Sequence, residues 1–362
     1  MQSEDFSAVI IGTSNSILMN AFTWAFSRAT GVRMKNMSLG ASCSANAAWA
    51  ISGVDFSDFN FAIIELSNNE EHQNTHGLTS TGRFKNNLCT LIDTCSKAGA
   101  IPIVVSFPRL YYVDRDRPIH ESMIALCRKL NVTTLDIYKV IGAAVAMDYT
   151  RTPVGKYFMD EAHLKQRVAR SIGFELISQL RRIIRSGPIL NKEMHETHNR
   201  TYYLDASNID CLHTDLRTTS LISQSVVVLN LESKLSMDFP GSGDKLTAVH
   251  LNAARSNAGL TVGGVRVLGR SPESDVTPQK DLISVIRPLK TMLEVNGKTT
   301  IEAIAEEGSG TNPKFEICGF VIQRREEETS IRTASRPFMI TEVADTLTPS
   351  VLQHISLMVA AE

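Results

Sequence analysis

The chain has 362 residues, 43% hydrophobic and 21% charged, which describes a globular protein with enough apolar material for a sizeable core. Its 37 basic and 38 acidic residues leave a formal charge of −1, and no basic cluster is interleaved with aromatics. That balance excludes nucleic acid and an anionic membrane as expected partners, and the length favours two domains over one.

The first half alternates strand and helix. Ala8 to Ile11 form a short β-branched apolar run that Gly12 stops, and Ile17, Leu18, Phe22, Trp24 and Phe26 follow at helical spacing. This predicts a strand, a tight turn holding Ser14, and a helix. MKNMSLG leads into a second helical run, ANAAWAI. DFNFAIIEL reads as a strand that ends in a polar loop, SNNEEHQNTHG. KNNLCTLIDTCSKAG is an amphipathic helix closed by Gly99, and IPIVVSFP a strand closed by Pro108. PIHESMIALCRKLN is a further helix, TTLDIYKV a short strand, and HLKQRVARSIGFELISQLRRII a long last helix. Strands alternating with helices of this length predict a three-layer α/β/α, flavodoxin-like parallel sheet, with sites gathered at the carboxyl ends of its strands.

Gly187-Pro188 ends that regime. Beyond residue 200 the texture changes to β-rich runs (LISQSVVVLNLE, KLTAVHLNA, LTVGGVRVLG, KTMLEVNG, KTTIEAIAE, KFEICGFVIQ) separated by polar turns. Their spacing predicts an antiparallel, jelly-roll-like sandwich. The expected domains are therefore 1–190 and 200–362, joined through NKEMHETHNR. Six scattered cysteines form no C-x-x-C pair, and contexts such as LCTLIDTC and FEICGFVI read as buried free thiols, so no metal site is expected. The acidic MQSEDFSAV enters a strand directly, without a basic region or long apolar stretch, from which a soluble, cytoplasmic chain is expected.

Four spots at strand ends carry polar residues fit for chemistry: Gly12-Thr13-Ser14, Ser38-Leu39-Gly40-Ala41-Ser42, Ser67-Asn68-Asn69-Glu70, and Asp160-Glu161-Ala162-His163. A D-x-x-H on a loop lets one turn present both side chains to each other, so that the carboxylate fixes the imidazole tautomer while the other ring nitrogen takes a serine proton. The backbone N–H groups of Ser14 and Gly40, with an amide from Asn69 or Asn68, would make an oxyanion hole. Taken singly, each has a plainer reading: Ser14 and Asp160 as helix caps, Gly40 as a permissive backbone position, the asparagines as ordinary loop residues. His72 and Arg109 would face the same edge, where they could contact substrate. Glu70, Glu71, His72 and His76 lack the regular spacing of a metal site. His250 reads as packed within a strand.

In this order, GTS, then G, then NN, then DxxH, the blocks resemble the SGNH (GDSL-type) hydrolase superfamily across residues 6 to 185. The resemblance implies Ser14 as nucleophile, His163 as base, Asp160 as its orienting carboxylate and Gly40 as second oxyanion donor. In the third block it favours Asn69, which keeps an acid after the asparagine, with Asn68 as the alternative frame. Thr13, Ser67 and Glu70 depart from the family's Asp, Gly and Asp.

The implied chemistry is acyl transfer through a covalent Ser14 ester, with no cofactor. The expected substrate is an acylated carbohydrate or other small ester, and the expected enzyme a carbohydrate O-acetylesterase. A polysaccharide O-acetyltransferase using acetyl-CoA and a silent glycan-binding protein are the alternatives. A homo-oligomer is compatible with a sandwich that packs against a neighbour's site.

Overall fold

The computed structural model describes residues 5–146, 153–185, 191–196, 199–206, 214–219, 222–276, 280–325 and 329–334. Gly187-Pro188, Cys211 and the stretch 335–362 lie outside them, as does part of the expected linker.

Five strands, β1 (Phe6–Ile11), β2 (Val32–Asn36), β3 (Phe61–Ile64), β4 (Ile101–Ser106) and β5 (Thr133–Asp136), form a fully parallel sheet in the order β2-β1-β3-β4-β5. Strand β1 shows why it lies at the centre. Ala8 and Ile10 join the core on one face, Val9 and Ile11 that on the other, and all four are fully buried. The first face is covered by α1 (Phe22–Arg28), α6 (Ile137–Ala146) and α7 (Gln166–Arg185), and the second by α2 (Asn46–Gly53), α4 (Thr81–Lys97) and α5 (Pro118–Lys129). Helix α4 starts where the Ser80 hydroxyl accepts the Arg83 N–H, buries Phe84, Leu88, Leu91, Ile92 and Cys95 along one stripe, and gives way to Gly99 at φ +89°.

The chain reverses its direction of travel across the sheet at β1 and β3, the place where open α/β sheets leave a crevice beyond their strand ends. Two expectations are corrected here. SNNEEHQNT is a helix, α3 (Ser67–Thr75), and only the first half of TTLDIYKV is strand, the rest opening α6. Helix α3 escapes an apolar-periodicity reading because its buried residues, Ser67, Asn68, Glu70 and Glu71, are all polar.

The second domain is one eight-stranded antiparallel sheet. Its strands are β7 (Arg200–Asp205), β8 (Thr214–Thr218), β9 (Ser223–Asn230), β10 (Lys234–Asn252), β11 (Gly259–Val262), β12 (Val265–Leu268), β13 (Ser284–Ile304) and β14 (Lys314–Arg324). KTMLEVNG and KTTIEAIAE are not separate strands but parts of β13, which pairs along β10 through register shifts at Phe239/Asp244 and Leu246/Ala248. The sheet's inward residues, from Leu235, Phe239 and Ile301 at one end to Leu251, Phe315 and Phe320 at the other, share one core. A separate two-stranded ribbon pairs β6 (Asn191–Glu196) with β15 (Thr329–Ala334).

The domains also share a core, for Ala248, Ile286 and Val321 sit in the same cluster as Val9, Ile11, Trp49 and Leu88. Cys43 N–H donates to the Ile286 carbonyl and Ile286 N–H to the Ser42 hydroxyl, while the Thr201 hydroxyl donates to Asn87 at 2.9 Å. All five described cysteines are buried and stand outside any disulfide. The His250 ring is buried against Trp49, between the Tyr203 and Ser284 hydroxyls, and burial pushes its pKa down to about 3.

The closest helix approach lies at Gly173 of α7, where a Cβ would stand 2.5 Å from the Phe22 carbonyl oxygen and 2.8 Å from the Ala25 side chain. Gly173→Ala should therefore destabilise the protein by about 1–3 kcal/mol through overpacking, read as a lower urea midpoint. An unchanged midpoint would show that α1 and α7 can part without cost.

Candidate active site

Ser14 sits in a 3-10 turn, Ser14–Ser16, directly after β1. The turn is held from below by Glu65, which follows β3 and is completely buried. Its carboxylate accepts the Thr13 N–H at 2.8 Å and the Thr13 and Ser16 hydroxyls at 3.1–3.2 Å. From the other side the Asn46 amide donates to the Gly12 carbonyl at 2.9 Å. Gly12 has no room for a side chain, because a Cβ there would lie 2.4 Å from the Ser16 hydroxyl and 2.9 Å from Glu65.

His163 lies on the loop before α7. Phe158 and Leu164 pair as an isolated bridge and are both buried in the core, so the residues between them form a closed turn. Within it Asp160 accepts the Ala162 N–H at 2.8 Å and the His163 N–H at 3.0 Å. The same carboxylate lies 2.8 Å from His163 Nδ1, and His163 Nε2 lies 2.7 Å from Ser14 Oγ. With Nδ1–H donating to Asp160, Nε2 is the free acceptor for the serine proton. Partial burial would raise the Asp160 pKa, but the bonds from His163 and the Ala162 amide outweigh it and hold the carboxyl below its ordinary range.

Gly40 lies on the loop after β2, followed by Ala41 at φ +54°. A Cβ on Gly40 would stand 2.9 Å from the Ile17 side chain, so the backbone here must stay bare. The asparagine block departs from the favoured alignment. Helical geometry turns consecutive side chains about 100° apart, and the Asn69 amide donates to the Ser42 carbonyl at 3.0 Å. Asn68 instead donates to the Ala162 carbonyl, beside His163, at 3.0 Å, and its Oδ1 is buried without a partner among the described residues. Of the two, Asn68 carries its amide to the loop of His163 and Asn69 to the loop of Gly40.

Arg109 and His72 both reach the rim. Desolvation and then the nearby Arg109 charge lower the His72 pKa, with Glu161 opposing, and the His72 ring stacks on His76 at 4.3 Å. Arg109 N–H meets the Tyr138 hydroxyl at 3.2 Å, and Leu110 N–H bonds the Glu161 carbonyl, tying this loop to the one bearing His163. A cavity of about 380 Å³ runs from Ile17 and Gly40 to Leu282, Ser284 and Val285 of the second domain.

Glu65 and Asn46 had no place in the motif reading. The signal for Glu65 was available, since one acid closing the apolar run FAIIEL must be buried with partners. Asn46, inside ANAAWAI, gave none.

No protein-family model and no curated relative matches the sequence, but solved structures do. A two-domain esterase active on acetylated mannans, co-crystallised with mannopentaose, aligns with a TM-score of 0.56 at 12% identity, over 89% of this chain and 92% of its own. The SGNH-hydrolase family esterase AlinE4 aligns at 16% identity and a TM-score of 0.32, over 52% of this chain and 100% of its own. The psychrotrophic esterase EstA from Pseudoalteromonas aligns at 14% and 0.37, over 50% of this chain and 100% of its own. The fold, a parallel α/β domain followed by a large antiparallel β domain, is the one this chain shares with the two-domain acetylmannan esterase.

Desolvation lifts the Glu65 pKa from 4.5 to about 7, against the pull of its Thr13 and Ser16 hydrogen bonds. An acid raised by folding makes the folded state bind the extra proton, so its contribution to stability falls as pH rises from about 4.5 to 7, by roughly 3 kcal/mol in all. Glu65→Gln keeps a hydrogen-bonding group and removes the charge. Its melting temperature relative to wild type should rise between pH 5 and pH 7 and level off by pH 8. A difference that stays flat over that range would contradict the assignment.

Proposed function

We propose that the protein is a serine O-acyl esterase that forms a covalent acyl-Ser14 intermediate. The observation that carries this reading is the Asp160–His163–Ser14 line, with contacts of 2.8 and 2.7 Å, at the carboxyl edge of the parallel sheet. His163 Nε2 takes the Ser14 proton as Oγ adds to the ester carbonyl. The oxyanion is received by the Ser14 and Gly40 N–H groups and the Asn68 amide, which leaves the Ala162 carbonyl to do so. The imidazolium, stabilised by Asp160, then protonates the departing alcohol, and water repeats the sequence to free Ser14.

We further propose an acetylated carbohydrate as substrate. The two-domain layout shared with the acetylmannan esterase supports it. So does the cavity at Gly40, which draws a wall from the second domain and thereby gives the non-acyl part of a substrate contacts on both. Arg109 and His72 would meet the substrate at the opposite rim.

Purified protein should hydrolyse p-nitrophenyl acetate and release acetate from acetylated mannan. Ser14→Ala and His163→Ala should each lower kcat by about a thousandfold or more. Equal rates in the three proteins would dismiss the serine mechanism. Turnover of the chromogenic ester without acetate release from any acetylated polysaccharide would dismiss the carbohydrate.

A further inference from the structure

Beside the site just described, a buried hydrogen-bonded line crosses the carboxyl ends of β4 and β5. His120 Nε2 lies 3.3 Å from Asp136 Oδ2, and the two side chains are only 7% and 12% exposed. His120 Nδ1 lies 2.8 Å from the Ser106 hydroxyl, and Ser106 lies 3.3 Å from the Ser67 hydroxyl. Asp136 at the far end fixes the directions. In the neutral ring Nε2–H donates to the carboxylate, so Nδ1 is an acceptor, Ser106 donates to it, and Ser67 is left to donate to Ser106. Burial raises the Asp136 pKa, but the bond and charge of His120 together with the Lys139 N–H and charge hold it below its ordinary value, which keeps the acceptor end charged.

Although this is a second Ser–His–Asp sequence, it has no reach to a substrate, for Ser106 is fully buried. Its free end is what gives it a role. Ser67 is the first residue of α3 and Asn68 the second. One turn further on, Glu71 accepts the His120 N–H at 3.0 Å and the Ile119 N–H at 3.4 Å. Helix α3 is thus held at residues i and i+4 by the same histidine, through its ring at one point and its backbone at the other. A helix without an apolar face has its rotation about its own axis fixed by such polar bonds, and these two act beside those from the Asn69 amide to the Ser42 carbonyl and from the Ser44 N–H to Glu70.

We propose that His120 is a positioning residue for the esterase reaction, its ring setting the orientation of α3 and hence of the Asn68 amide toward the reacting carbonyl oxygen. The inference rests on the esterase reading above. No step of the chemistry passes through His120 itself. A donor displaced by about 1 Å from its place can cost about a hundredfold in rate.

The test is a cycle on p-nitrophenyl acetate in the full-length protein, with wild type, His120→Ala, Asn68→Ala and the double variant. His120→Ala should lower kcat by about 10- to 100-fold while KM stays within about twofold, because the defect is in the transition state. In the Asn68→Ala background the same change should cost less than about twofold, since its target is already gone. His120→Asn, which can keep a side-chain partner for Ser106, should recover most of the rate. If His120→Ala does not fold, Ser106→Ala breaks the same line with a smaller change and takes its place in the cycle. Additive losses, or an unchanged kcat in a folded variant, would overturn the proposal. Ser14→Ala run alongside separates the two readings: if it keeps full turnover, the serine mechanism has failed, and if it alone loses turnover, only the role of His120 has.

Discussion

Glu65 bears on every other feature of the site, because it fixes the turn that presents Ser14. A serine at the end of a strand is an ordinary turn residue until its backbone is held still, and here three donors from Thr13 and Ser16 converge on one buried carboxylate. Asn46 and the bare backbone of Gly12 close the turn from the remaining directions. With Ser14 so fixed, His163 can be brought to it by a loop whose two ends, Phe158 and Leu164, are anchored in the core. Reactive groups on loops and supports on strands and buried side chains is the arrangement that lets a catalytic geometry hold without a rigid active-site surface.

The second domain is part of that support. Its Ile286 exchanges hydrogen bonds with Ser42 and Cys43, two and three residues after Gly40 on the loop after β2. Its Ala248, Ile286 and Val321 complete the apolar layer on α2 and α4. Full burial of an Ile or Val side chain contributes about 1.5–3 kcal/mol, so this seam is a continuation of the core and not a casual contact between neighbours. The buried His250, neutral between Tyr203 and Ser284 and edge-on to Trp49, belongs to the same seam.

Much of this was legible in the sequence where burial follows a simple period. Strand β1 read as an apolar β-branched run, α4 and α7 as amphipathic stripes, and the change of texture near residue 200 as a change of architecture, because apolar spacing reports directly on which face is covered. Legibility failed where burial is polar. Helix α3 read as a loop since Ser67, Asn68, Glu70 and Glu71 carry no hydrophobic period, and the preference for Asn69, which kept an acid after the asparagine, had no helical rotation to show that Asn68 turns toward the loop of His163. The halves of β13 read as two strands because the glycine at 297, which a turn would need, instead lies at φ +55° within one strand, beside a register shift in its ladder with β10. His120, Asp136 and Ser106 come from three elements, and no spacing along the chain announces their meeting.

Those failures share a physical cause that also explains why the polar groups are there. Glu65, Glu70 and Glu71 are all buried at one end of the sheet, and in each desolvation is the first cause of a raised pKa. A buried carboxyl with hydrogen bonds but no close ion pair weakens a fold, so a protein selected for stability alone would replace it with a methyl-bearing side chain. Each one here accepts backbone N–H groups from a segment that carries or backs the site: Thr13 for Glu65, Ser44 for Glu70, Ile119 and His120 for Glu71. Apolar contacts could press these segments together but could not set the direction of their peptide groups, whereas an acceptor placed among amide donors does. The carboxyl edge therefore gives up stability for orientation, and the apolar seam with the second domain lies where it offsets that loss, directly behind the loop of Gly40.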